Sequence, residues 1–134
     1  MKEIKISILG DICSDWGYRA QFDQGDTKTI FGDVMAELQS ADYAIANLEL
    51  PLSNGGAPIN KTGPCLHGKP DDFKVLKEAG IKAVSLANNH ILDYGFDALR
   101  DTIKYAEENG VETFGAGVNA EQASKPFYRE IGGR

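Results

Sequence analysis

Short apolar runs alternate with amphipathic stretches along this chain, and three of the apolar runs end abruptly in polar side chains. Ile4-Lys5-Ile6-Ser7-Ile8-Leu9 has the period-two pattern of a strand and leads into Gly10-Asp11. Phe31, Val34, Met35 and Leu38 fall at i, i+3, i+4 and i+7, which predicts a helix over residues 29–40. Residues 43–48 predict a second strand, bringing Asn47 and Glu49 to its end. A turn-rich loop over 51–64 follows, and Asp71 or Asp72 then caps a helix carrying Phe73, Leu76 and Ala79, closed by Gly80. Residues 81–86 predict a third strand, which runs directly into Asn88, Asn89 and His90. A helix over 95–109, a strand over 111–114, a helical turn near 120–124 and a fifth strand over 127–131 complete the pattern. Strands alternating with helices mean an α/β domain built on a mainly parallel sheet with right-handed crossovers. In such sheets ligands sit beyond the carboxyl ends of the strands, where Asp11, Asn47, Glu49, Asn88, Asn89 and His90 would converge.

Bulk properties set limits on what that rim meets. A chain of 134 residues buries roughly two-thirds of its unfolded surface, enough for one core. A net charge of −6 argues against a nucleic-acid or acidic-membrane binder, which would need clustered Lys and Arg. Cys13 and Cys65 are far apart and lack CxxC spacing, so two reduced thiols are expected. No stretch approaches the roughly 20 apolar residues that span a bilayer, and Met1-Lys2-Glu3 leads straight into a strand pattern without a signal peptide. The expectation is a cytoplasmic chain as given, membrane-associated or exported if a leader or anchor has been removed.

Carboxylate, carboxamide and imidazole together suit a divalent metal, with imidazole favouring Zn, Fe or Mn. Asn88-Asn89-His90 is the strongest local signal, because a buried strand emerging into two amides and a histidine has little packing rationale. A capping asparagine beside a solvated histidine accounts for it equally well. Asp93 lies three residues beyond His90, placed either to accept its ring N–H or to serve as a first-turn helix acid. Trp16 and Tyr18 either line a ligand pocket beside Asp11 or pack in the core. His67 is expected on solvated loop surface, and Lys61 either there or meeting an anionic substrate, with the surface the commoner fate. Gly115-Ala116-Gly117 lacks the third glycine of a dinucleotide fingerprint.

Five blocks in order carry a resemblance. Gly10-Asp11, Asn47-Leu48-Glu49 with Pro51, Glu78-Ala79-Gly80-Ile81, Ser85-Leu86-Ala87-Asn88-Asn89-His90-Ile91-Leu92-Asp93-Tyr94-Gly95 and Gly115-Ala116-Gly117-Val118-Asn119 resemble the CapA-type capsule-synthesis family associated with poly-γ-glutamate production. That family is similar in turn to calcineurin-like metallophosphoesterases, which implies an α/β/β/α sandwich of which residues 1–134 are the N-terminal half. The resemblance implies Asp11, Glu49, Asn89 and His90 as metal ligands, His90 and Asp93 as catalytic residues, and Asn47, Asn88 and Trp16 as substrate contacts. It implies a metal-dependent hydrolase (Mn, Fe or Zn) acting on a phosphoester or an anionic polymer. The alternative is a non-catalytic accessory or polymer-binding protein of capsule assembly. Two departures stand out. The phosphoesterase first motif is Asp-x-His, whereas this chain has Asp11-Ile12-Cys13, and with two histidines in total the later histidine motifs have no counterpart. These residues alone are therefore expected to be inactive, with a homodimer partner or a C-terminal half covering the inner sheet face.

Overall fold

Four strands form one sheet in the computed structural model, which describes residues 3–134 and so leaves Met1 and Lys2, part of the signal-peptide reading, outside the described residues. They are β1 (Ile6–Ile12), β2 (Tyr43–Leu48), β3 (Ala83–Ser85) and β4 (Glu112–Phe114), in the order β1-β2-β3-β4 with every neighbouring pair parallel. A 3-10 turn (Trp16–Tyr18) and helices α1 (Arg19–Gln24), α2 (Thr27–Phe31) and α3 (Val34–Ser40) connect β1 to β2. The later helices are α4 (Asp72–Ala79), α5 (Gly95–Glu108) and the short α6 (Ala120–Ala123). This is the α/β class with a parallel sheet and flanking helices that the alternation predicts.

Sequential strand order with right-handed crossovers places every connecting helix on one face of the sheet. The side chains agree. Ala44, Ala46 and Leu48 of β2 and Val84 of β3 belong to one core cluster with Phe73, Leu76 and Ala79 of α4 and Leu99 and Ala106 of α5. Each fully buried Leu, Val or Phe there contributes about 1.5–3 kcal/mol relative to exposure. On the opposite face Ile6 is 52% and Ile8 79% exposed, so apolar residues of β1 meet solvent directly.

Two predicted elements came out differently. The helix expected over 29–40 is two, because Gly32 adopts φ 52°, ψ −136°, which no helical residue can hold. The fifth strand expected over 127–131 does not form. Instead this segment crosses the open face as coil: Phe127 stacks on Phe114 with ring centroids 4.9 Å apart, and the Arg129 guanidinium lies 5.8 Å from the centre of the Tyr43 ring. Pro126 lacks an N–H to donate at its start, and aromatic and cationic contacts across the face replace a ladder along the edge.

One irregularity matters for the site. Ile8 pairs with Ile45 and Asp11 with Asn47, so Leu9-Gly10 on β1 oppose the single residue Ala46 on β2. This bulge reverses the facing of everything after it. Without it Gly10 would stand beside Asn47; with it Asp11 does, and Ile12 turns into the core.

Candidate functional site

Because the bulge aims Asp11 at β2, the Asn47 Nδ2 donates to Asp11 Oδ1 at 2.7 Å. Asn88, just past β3, donates from Nδ2 to Asn47 Oδ1 at 3.2 Å and to the Leu48 carbonyl at 2.8 Å. Its Oδ1 accepts from the backbone N–H groups of His90 and Ile91, both at 3.0 Å. Asn88 therefore cross-links two strand ends and builds the turn that presents His90. The capping role and the site role belong to one side chain, while helix α5 itself begins only at Gly95.

The His90 ring is mostly enclosed, with 14% of its side chain exposed, and its Nδ1 lies 2.7 Å from Asp93 Oδ2. Asp93 is fully buried. Its Oδ2 also accepts from the Leu66 N–H at 2.8 Å, and its Oδ1 accepts from the Lys61 ammonium. Burial pushes this carboxyl up, but Lys61, the His90 ring N–H and the Leu66 N–H outweigh it and hold Asp93 below the usual carboxylate range. An ionised carboxylate accepts only, so this contact requires the proton on His90 Nδ1, and Nε2 is the ring nitrogen with no partner among the described residues.

The predicted residues thus divide. Asp11, Asn47, Asn88, His90 and Asp93 form one continuous hydrogen-bonded chain along the carboxyl ends of β1, β2 and β3. Asn89 is exposed and Glu49 half-buried on the same rim, and neither side chain makes a hydrogen bond or ion pair to another described residue. Trp16 stands apart from the chain, 65% exposed, at φ 63° with its N–H on the Asp15 carboxylate. Among the described residues no three His, Cys, Asp or Glu side chains come together as a metal-holding group.

Two loop residues expected on solvated surface stand elsewhere. Lys61 is not free on the surface but seated on Asp93. His67 is half-buried, stacked on the Tyr94 ring at 4.1 Å with Nε2 2.9 Å from Ser53 Oγ, and burial pushes its imidazole pKa down. A separate cluster has no signal in the sequence: buried Asp72 receives both Arg19 Nη groups at 2.7 and 2.5 Å, the Ser14 hydroxyl at 2.5 Å and the Lys69 N–H at 3.0 Å. Asp72 and Arg19 are 53 residues apart, and no local pattern links them. Cys13 and Cys65 are both free thiols. Beside the site an apolar cleft of about 580 Å³ opens between Leu92, Phe96 and Val118, with Asn88 and Asn89 on its rim and Gly115 and Gly117 in its wall.

Residues 5–134 match the family described as Bacterial capsule synthesis protein PGA_cap. The chain belongs to that family. It is 30% identical over 135 residues to the capsule biosynthesis protein CapA of Bacillus anthracis, covering 98% of this chain and 33% of the relative. The PGA biosynthesis protein CapA of Bacillus subtilis is 26% identical over 137 residues, covering 97% and 35% respectively. A Mycobacterium tuberculosis protein named "Probable polyglutamine synthesis accessory protein" is 28% identical over 109 residues, covering 80% and 29%. The chain thus spans about a third of the length of the curated relatives it matches. Among the described residues no helix is long and apolar enough to cross a membrane.

Proposed function

We propose that this chain carries part of a divalent-metal hydrolase site of phosphoesterase type, working in the synthesis or processing of a capsular poly-γ-glutamate polymer. The observation that supports it most is the hydrogen-bonded chain from Asp11 through Asn47 and Asn88 to the His90–Asp93 pair at the carboxyl rim of a parallel sheet. Asp93 holds the ring of His90 through Nδ1 and leaves Nε2 without a partner among the described residues, the arrangement used by metal-ligating and acid–base histidines alike. Asp11, Glu49, Asn89 and His90 are the proposed ligands, with Mn, Fe or Zn as the ion. A bound ion would supply Lewis acidity toward a phosphoryl or acyl oxygen. Since these donors form no group of three His or acids by themselves, the remaining ligands are proposed to come from further residues of a longer polypeptide, of which residues 1–134 are the N-terminal portion. The same extension, or a second copy, would cover the exposed Ile6 and Ile8.

A second reading has its own support. The absence of a convergent metal group among the described residues, together with the accessory role in the mycobacterial relative's name, favours a non-catalytic polymer-binding protein of capsule assembly. Elemental analysis and calorimetry on this chain and on a version extended past Arg134 separate the two. Stoichiometric metal in the longer form, lost in His90→Ala, supports the hydrolase. No metal in either form, with poly-γ-glutamate binding that survives a chelator and His90→Ala, supports the accessory role.

A further inference from the structure

The long loop over 51–64 has no secondary structure beyond an isolated bridge between Leu52 and Gly68, yet it reaches the site at two points. The Ile59 N–H donates to the Asp93 carbonyl at 2.9 Å, and two residues later the Lys61 ammonium meets Asp93 Oδ1. Lys61 keeps only 21% of its side chain exposed, although a lysine on an acidic surface would ordinarily extend into water. Its Nζ also stands 3.3 Å from His90 Nδ1. Both nitrogens carry protons when Nδ1–H faces Asp93, so this is a contact between two donors sharing one acceptor group, not a hydrogen bond between them.

We propose that Lys61 is a positioning residue for His90: it occupies Asp93 Oδ1, leaves Oδ2 to the His90 Nδ1–H, and so fixes the ring with Nε2 as its uncommitted nitrogen. The physical need is plain. A carboxylate with no solvent contact requires compensation at both oxygens. Leu66 N–H and His90 serve Oδ2, and among the described residues only Lys61 serves Oδ1. Remove that ammonium and the carboxylate is free to rotate or to share its two oxygens with the ring, and the single fixed imidazole form is lost. The loop thereby sets the chemical state of a side chain 29 residues further on.

This rests on His90 being the working side chain of the proposed function, but its test does not require activity or metal. The chain has two histidines, so a long-range proton–nitrogen correlation spectrum, recorded in buffer alkaline enough to keep a free imidazole neutral, resolves both rings. In the unmodified chain His90 is expected in one form, Nδ1 protonated and Nε2 bare. In Lys61→Met its Nε2 resonance moves away from the lone-pair position while the His67 signals stay in place. Lys61→Arg, which keeps the charge and the reach, retains the original His90 pattern. An unchanged His90 in Lys61→Met overturns the proposal. So does an altered His90 in a folded Lys61→Arg, and this second variant decides the matter if the methionine chain fails to fold. A positive result beside no metal in the version extended past Arg134 would leave the positioning role standing and remove the hydrolase reading alone.

Discussion

Two aspartates of this molecule, Asp72 and Asp93, are almost completely buried and each holds a cation, yet they are built for different ends. Asp72 sits at the start of α4 and is saturated. A two-point Arg19 fork, the Ser14 hydroxyl and the Lys69 N–H use its oxygens. Gly68 packs so tightly there that an added Cβ would lie 2.5 Å from Ser14 Oγ and 2.8 Å from Asp72 Oδ2. Asp93 has as many partners, but one is an imidazole whose second nitrogen remains uncommitted and another is a lysine on a loop. Arg19 cannot lose its proton and offers a planar fork; histidine exchanges protons and lysine is a flexible point charge. The first cluster ties the 3-10 turn region to α4. The second leaves one atom available for chemistry.

The contrast can be broken first at Arg19. Arg19→Ala strands Asp72 without its cation and should cost about 3–5 kcal/mol in denaturant unfolding, since an uncompensated buried charge is the expensive case. Asp93→Asn should cost less near neutral pH, about 1–3 kcal/mol, because its remaining partners rearrange or reach water. The sign of its pH dependence follows from the lowered Asp93 pKa. The stabilisation from an ionised Asp93 is present above the unfolded carboxylate value of about 3.9 and is lost as pH falls through the lower folded value. Stability curves of Asp93→Asn and the unmodified chain should therefore converge on acidification. Ser14→Ala removes one of several donors to Asp72 and should cost about 1 kcal/mol by the same measurement. At the small end, Ile8→Ser on the open face should change stability by less than about 0.5 kcal/mol, since Ile8 is 79% exposed. A loss of several kcal/mol there would mean that these residues by themselves already cover that face.

Much of the architecture was legible in the chain. Residues 43–48 were placed as a strand with the observed bounds, and Gly80 ends α4 in a left-handed conformation with its N–H on the Leu76 and Lys77 carbonyls. The helix expected over 29–40 divides because the apolar i, i+3, i+4 pattern continues across Gly32, where the helical backbone does not. The strand expected over 127–131 rests on the strand-like composition of Phe127, Tyr128 and Ile131, but Phe127 stacks flat on Phe114 instead of pairing along the edge, and Tyr128 stands 84% exposed. At the site, the His90–Asp93 contact is local and follows from their three-residue spacing. Lys61 and Arg19 were not readable in the same way, since a lone cation 32 or 53 residues from its acid leaves no periodic trace.

What the amino-acid order determined by itself was whatever depends on near neighbours: strand and helix alternation, the caps and stops, the α/β class, and the polar character of three strand ends. Hydrophobic periodicity and backbone preference act within a few residues, so they can be read a few residues at a time. Only the tertiary structure decided which polar groups meet. A one-residue bulge in β1 chose Asp11 over Gly10 to stand beside Asn47. The parallel order of β1, β2 and β3 then joined Asn47 to Asn88, and a folded-back loop delivered Lys61 to Asp93. Register and loop closure are settled by packing of the whole chain, so the same residues in the same order carry no separate signal for them.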